Sequence, residues 1–194
     1  STPSSTLFPY TTLFRSSDGA GAGTGTATTT VNLTATTDAP VITAGSTRAY
    51  TENAAAVTLE SALTVTDADD TNIASGSVTI SAGFTAGDTL TWTTQAGITA
   101  SYNSGSGVLT LTGSATLASY QTLLRSVAYS STSDDPTASS ASRTVTWSLT
   151  DANSDGAGAG TGTATTTVNL TATTDAPVIT AGSTRAYTEN AAAV

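Results

Sequence analysis

Residues 17–57 recur without a single change at 154–194, so the same stretch stands twice, 137 positions apart. Self-similarity at a fixed period marks arrays in which each unit packs on its neighbours. This divides the chain into the end of one repeat (17–37), one complete repeat (38–174) and the start of a third (175–194). A unit of that length buries roughly two thirds of its unfolded surface, enough for a core without covalent staples. The sequence has no cysteine to make any.

Residues 1–16, STPSSTLFPYTTLFRS, have a different character. Residues 6–16 read as the translation of a short-read sequencing adapter, and the repeat copy begins at Ser17, where that stretch stops. The segment is therefore expected to be an artefact of assembly, foreign to the native protein.

Inside the repeat, apolar residues alternate with Thr or Ser. The inward sets are Val57, Leu59, Leu63 and Val65; Val78, Ile80, Ala82 and Phe84; Leu90 and Trp92; Ile98, Ala100 and Tyr102; Leu109 and Leu111; Val127 and Tyr129; Val145, Trp147 and Leu149; and Ala164, Val168, Leu170 and Ala172. Strict alternation means strands with one buried face, and Gly-rich punctuation such as 155–160 separates them. The expected fold is all-β: an antiparallel β-sandwich of nine strands, the first over 41–51. One stretch breaks the pattern. In Ser114–Arg125, Leu117, Tyr120, Leu123 and Leu124 fall at helical spacing, which predicts a short helix capped by Ser114 or Thr116 and closing one end of the sandwich.

Nine strands that each reverse direction leave the two termini at opposite ends, so copies stack head to tail. The same parity puts Glu52 at the far end, and Asp67, Asp69 and Asp151 at the near end beside the linker at Asp38. Acids cluster there as Asp67-Ala-Asp69-Asp70 and Asp151-Ala-Asn153-Ser154-Asp155. Calcium takes 6–8 oxygen ligands, and such runs supply them. Asp and Asn also favour turns for their own sake, which is the plainer reading of the same residues.

The formal charge is −9, from 14 acids against 5 arginines. That sign repels phosphate backbones and anionic headgroups, so neither nucleic acid nor a membrane surface is an expected partner. There is no His, Cys or Lys to serve as base or nucleophile partner, and no Ser in a nucleophile-elbow context, so no catalytic residue is assigned. Glu60 and Asp88 are expected at solvated positions, and Trp92 and Trp147 in the core.

Val65-Thr-Asp67-Ala-Asp69-Asp70-Thr-Asn72, the Thr51-Glu52-Asn53 corner and the Asp38-Ala-Pro40 linker resemble cadherin calcium motifs. The run from Leu109 to Tyr129 resembles the cadherin-like, Ig-like repeats of giant bacterial surface adhesins. The resemblance implies a calcium-dependent extracellular repeat whose partners are adjacent identical repeats in the same chain. It implies Ca2+ held by Asp38, Glu52, Asp67, Asp69, Asp70, Asp151, Asp155 and Asp175, with Glu52 and Asp175 serving the next junction. The linker holds one acid only, fewer than cadherin linkers carry. The expected function is a structural spacer in a secreted or surface-anchored adhesin. The rival readings are a carbohydrate- or protein-binding module, and a non-catalytic repeat of a large secreted enzyme or toxin.

Overall fold

A computed structural model describes residues 14–16, 23–25, 29–154, 156–184, 186 and 188–190, with no side-chain description before residue 29. Among these residues thirteen strands and one helix follow in order: β1 (Phe14–Ser16), β2 (Gly23–Gly25), β3 (Val41–Thr43), β4 (Thr47–Thr51), β5 (Val57–Thr58), β6 (Thr64–Thr66), β7 (Asn72–Ala82), β8 (Asp88–Thr91), β9 (Thr99–Asn103), β10 (Val108–Thr116), α1 (Leu117–Arg125), β11 (Ala128–Ser131), β12 (Ser142–Asp151) and β13 (Thr161–Thr171). Among the described residues β1 pairs with β2 alone, in a small sheet that includes part of the expected adapter segment.

The sandwich is built from β3 to β13. One layer is a six-stranded sheet in the order β4-β13-β12-β7-β10-β9; the other is made by β5-β11-β8 and by the pair β3-β6. Alternation on β12 is complete, with Val145, Trp147 and Leu149 fully buried between half-buried hydroxyl residues. Across the cross-strand register, Trp147 lies opposite Ala164 on one side and Val78 on the other. Its indole N–H is not stranded: it donates to Thr166 Oγ1 at 2.8 Å, a buried threonine standing in inward phase on β13. A buried indole needs such a partner, so a polar residue sits where alternation calls for an apolar one.

The structure corrects several strand expectations. The single strand expected over 41–51 is two strands, because the chain crosses between layers at Gly45, whose φ is +140°. β3 pairs antiparallel with β6, whereas β4 pairs parallel with β13, so the sandwich is not purely antiparallel. The stretch 57–65 likewise divides into β5 and the start of β6. Ala82 is exposed because the β7–β12 register shifts between Thr144 and Val145, and Ala172 is exposed because β13 stops at Thr171. Trp92 is half-buried against the core rather than enclosed by it.

Both acids expected in solvent are buried, Glu60 at 5% exposure and Asp88 at 1%. Glu60 Oε1 accepts from the backbone N–H groups of Gly45 (3.0 Å) and Ser46 (2.8 Å) and from the hydroxyls of Ser46 (2.8 Å) and Thr166 (2.6 Å). It thereby holds the crossover that splits β3 from β4. Asp88 forms a fully buried ion pair with Arg143, 2.6 Å from Nε to Oδ2, and accepts the Tyr129 hydroxyl at 2.7 Å. A sequence reading places lone acids in water by default; here each finds enough donors to offset desolvation.

α1 begins one residue after Thr116, whose hydroxyl oxygen accepts the Ser119 N–H at 3.2 Å, so Thr116 is the cap and Ser114 remains in β10. Tyr120, Leu123 and Leu124 are its buried stripe. Because Thr116 pairs with Asn72, the helix covers the end of the sandwich where β7 begins.

Candidate metal centre

That end receives the incoming chain and is called the entry end. β12 finishes here at Asp151, opposite Ile73, and β13 starts here. In the turn after β6, Asp67 Oδ1 accepts the backbone N–H groups of Asp69 (3.2 Å) and Asp70 (2.9 Å), which curls the three carboxylates together. One oxygen from each of Asp67, Asp69 and Asp70 lies within 4.8 Å of the others. Asp70 is 3% exposed; its Oδ1 accepts the N–H of Ser154 at 2.7 Å and the Ser154 hydroxyl, while its Oδ2 has no partner. Asp67 Oδ2 is also buried and unpartnered.

Burial raises the Asp67 carboxyl above its ordinary value, and the adjoining Asp69 adds to the rise against the pull of the two backbone donors. Unpartnered carboxylate oxygens away from water are costly, and a hard cation is the group that offsets them.

The other acids expected at this end behave differently. Asp38 reaches the cluster through its backbone, its N–H donating to Asp69 Oδ2 at 3.1 Å. Asp151 is spent on its own loop: Oδ1 accepts from Asn153 N–H at 3.0 Å and Oδ2 from Gly160 N–H at 2.6 Å. For Asp151 the turn-making role is the one the geometry displays. Asp155 lies outside the described residues.

The opposite, exit end carries a second cluster. β4 and β13 finish side by side, Thr51 opposite Thr171. The corner that follows turns at Asn53, with φ of 61°, a conformation Asn tolerates better than most residues. Glu52 is held by its N–H donating to Thr171 O at 2.9 Å and is 3% exposed. Its Oε2 accepts from Thr173, 2.7 Å from the N–H and 3.3 Å from the hydroxyl. Its Oε1 is buried without a partner. Glu52, Asp134 and Asp175 each bring an oxygen within 4.8 Å of the others.

Sequence reasoning named Glu52 and Asp175 but missed Asp134. In the run Ser133-Asp134-Asp135-Pro136 it reads as turn chemistry, and nothing local points to Glu52. Its placement comes from the interior. The Arg143 guanidinium donates to Pro136 O (2.8 Å) and Ser140 O (3.0 Å), and the Tyr50 hydroxyl bridges the N–H (3.1 Å) and C=O (3.0 Å) of Ser131. These bonds tie the β11–β12 connection to the end of β4.

Among the described residues no helix is long and apolar enough to cross a membrane. No family model matches the chain, and no solved structure matches it. Among curated proteins the chain is similar to Halomucin of Haloquadratum walsbyi, with 40% identity over 124 residues. The similarity covers 61% of this chain and 1% of Halomucin.

Proposed function

We propose that the repeat is a structural spacer, a stalk unit of a large secreted or surface-anchored adhesin, stacked head to tail and stiffened by Ca2+ at its junctions. One observation carries this reading. Asp38 and Asp175 are the same residue of the repeat, 137 positions apart. The first copy bonds by its backbone to the entry cluster, and the second copy's carboxylate belongs to the exit cluster. In a continuous array one linker aspartate therefore serves both. It draws Glu52, Asp134 and Asp175 of one unit toward the next unit's Asp67, Asp69 and Asp70.

Six carboxylates around one linker form an all-oxygen set suited to calcium and too repulsive to stay empty at no cost. The similarity to Halomucin, a mucin by name, supports an extracellular setting.

A non-catalytic role agrees with the chemistry inside. The enclosed Asp88 is committed to Arg143 and Tyr129, and the sequence has no His, Cys or Lys. A sugar-binding module would display aromatic rings. Among the residues whose side chains are described, every aromatic one is buried or packs against the core.

Small-angle scattering on a chain of three consecutive units tests the proposal. Extracellular calcium modules bind at about 10⁻⁴–10⁻³ M, so millimolar calcium should lengthen and narrow the particle relative to chelator. Asp67→Asn with Asp69→Asn should remove the response with the sandwich still folded. Identical dimensions in calcium and chelator would reduce these acids to turn formers.

A further inference from the structure

The two copies of the linker are seen docked on opposite ends of one sandwich, and together they define a junction that no single copy displays. At the exit end Thr173 is gripped by Glu52, through both its N–H and its hydroxyl. At the entry end Thr37, the repeat twin of Thr174, donates its hydroxyl to Gly158 O at 2.9 Å. Asp38, the twin of Asp175, donates its N–H to Asp69. Ala39 and Pro40, the twins of Ala176 and Pro177, lie over two glycines. A Cβ on Gly160 would stand 2.8 Å from Ala39 Cα, and one on Gly162 would collide with Pro40 O. The start of β13 is bare so that the incoming linker can lie on it.

We infer that consecutive repeats abut directly, with no free linker residue, and that Glu52 is a clasp on the last residues of its own unit that fixes, independently of metal, the direction in which the next unit leaves. The inference rests on the tandem array proposed above. The change of hands falls between adjacent residues: Thr173 belongs to the unit before, Thr174 to the unit after. Neighbouring Cα atoms are about 3.8 Å apart, which leaves no slack for a tether. The exit face, made by the 52–54 corner and the 132–137 connection, meets the entry face, made by the 67–70 turn and residues 153–154 and 156–160. The partner is a second copy of this fold. Glu52 has two oxygens with two tasks. Oε2 grips the linker backbone, and Oε1 faces the acids where a cation would act on the bend and twist of the joint.

The two tasks separate experimentally. A chain of three consecutive units is given one spin label on an exposed strand threonine in each of two neighbouring units. The sequence lacks cysteine, so labels on introduced cysteines are unambiguous. Dipolar distances are recorded in chelator. The unaltered chain is expected to show one narrow distribution. Glu52→Gln should preserve it, because the amide oxygen still accepts from Thr173, yet lose the calcium response. Glu52→Ala should broaden it, and a Gly-Gly insertion between Thr173 and Thr174 should add a spread of about 7 Å. Two results would overturn the inference: an unaltered chain as broad in chelator as the insertion variant, or Glu52→Ala leaving the distribution unchanged. Broad distances that calcium narrows would sink the clasp and keep the calcium reading. Narrow distances indifferent to calcium would do the reverse.

Discussion

Val168 and Val31 sit in identical surroundings of sequence and in opposite surroundings in space. Val168 and Leu170, on β13, are 0% and 8% exposed; their twins Val31 and Leu33 are 60% and 67% exposed. Residues 161–171 form a long strand, whereas residues 29–37 form none. The same holds at the other end, where Ile42 on β3 is 8% exposed and its twin Ile179 is 84% exposed in coil. One sequence, with one set of propensities, is a strand where β12 and β4 flank it and coil where no described strand does. Strand propensity is thus mainly fitness for a half-buried pleated surface.

Geometry also explains why the first copy cannot take the place of the second within one chain. β13 runs toward the exit end, while Asp38 is fastened at the entry end. A strand over 24–34 in the β13 slot would leave three residues, 35–37, to cross back over the length of an eleven-residue strand, more than twice their reach.

The surest way to break the contrast is to remove the surroundings that make β13 a strand. Trp147→Ala should destabilise by about 3–5 kcal/mol in chemical denaturation, since it empties the centre of the core and removes the donor to Thr166 Oγ1, which keeps only its bond to Glu60. A loss below about 1 kcal/mol would deny the indole its place. The twin positions give the sharpest paired test. Leu170→Ala should cost about 2–5 kcal/mol, whereas Leu33→Ala should stay within about 0.5 kcal/mol. Equal losses would show that the first copy is packed as well.

Supplying the missing neighbour should erase the difference. With the rest of the third repeat (the equivalent of residues 58–174) appended after Val194, amides between 178 and 184 should gain at least tenfold hydrogen-exchange protection, about 1.4 kcal/mol of local stability. Unchanged exchange would mean that the following unit does not fold on this strand.

The smallest effect concerns the crossover. Burial would raise the Glu60 carboxyl, but hydrogen bonds from Thr166, Gly45 and Ser46 outweigh it and hold the group below its ordinary 4.5. A lowered folded value means full stabilisation above the ordinary value and progressive loss as pH falls through the folded one. Melting temperature should therefore drop below pH 4.5, and Glu60→Gln should flatten that limb at a cost on the order of 1 kcal/mol. A variant as acid-sensitive as the parent would assign the limb to other acids. The twin loop, Gly182-Ser183, has no such carboxylate among its described neighbours and should not contribute.

Much of this protein was legible from residue order. Alternation marked Val145, Trp147, Leu149, Leu109 and Leu111 as core, helical spacing found α1, and strand parity separated Glu52 from the 67–70 turn. These signals are local or depend on counting, so they survive without coordinates. The all-β sandwich follows from them, because a strand with one apolar face has to find a second layer. Other features depended on contacts between distant segments. The split of 41–51 depends on Glu60 reaching Gly45 and Ser46. The burial of Asp88 depends on Arg143, 55 positions away. The approach of Asp134 to Glu52 depends on a loop tied down from the interior. Whether a charge is buried, or a threonine faces inward, is decided by the donors and acceptors that folding brings to it. The repeat makes the same point without any substitution: identical residues at 31 and 168 end in solvent and in the core, because neighbours across space, not neighbours along the chain, supply the burial energy.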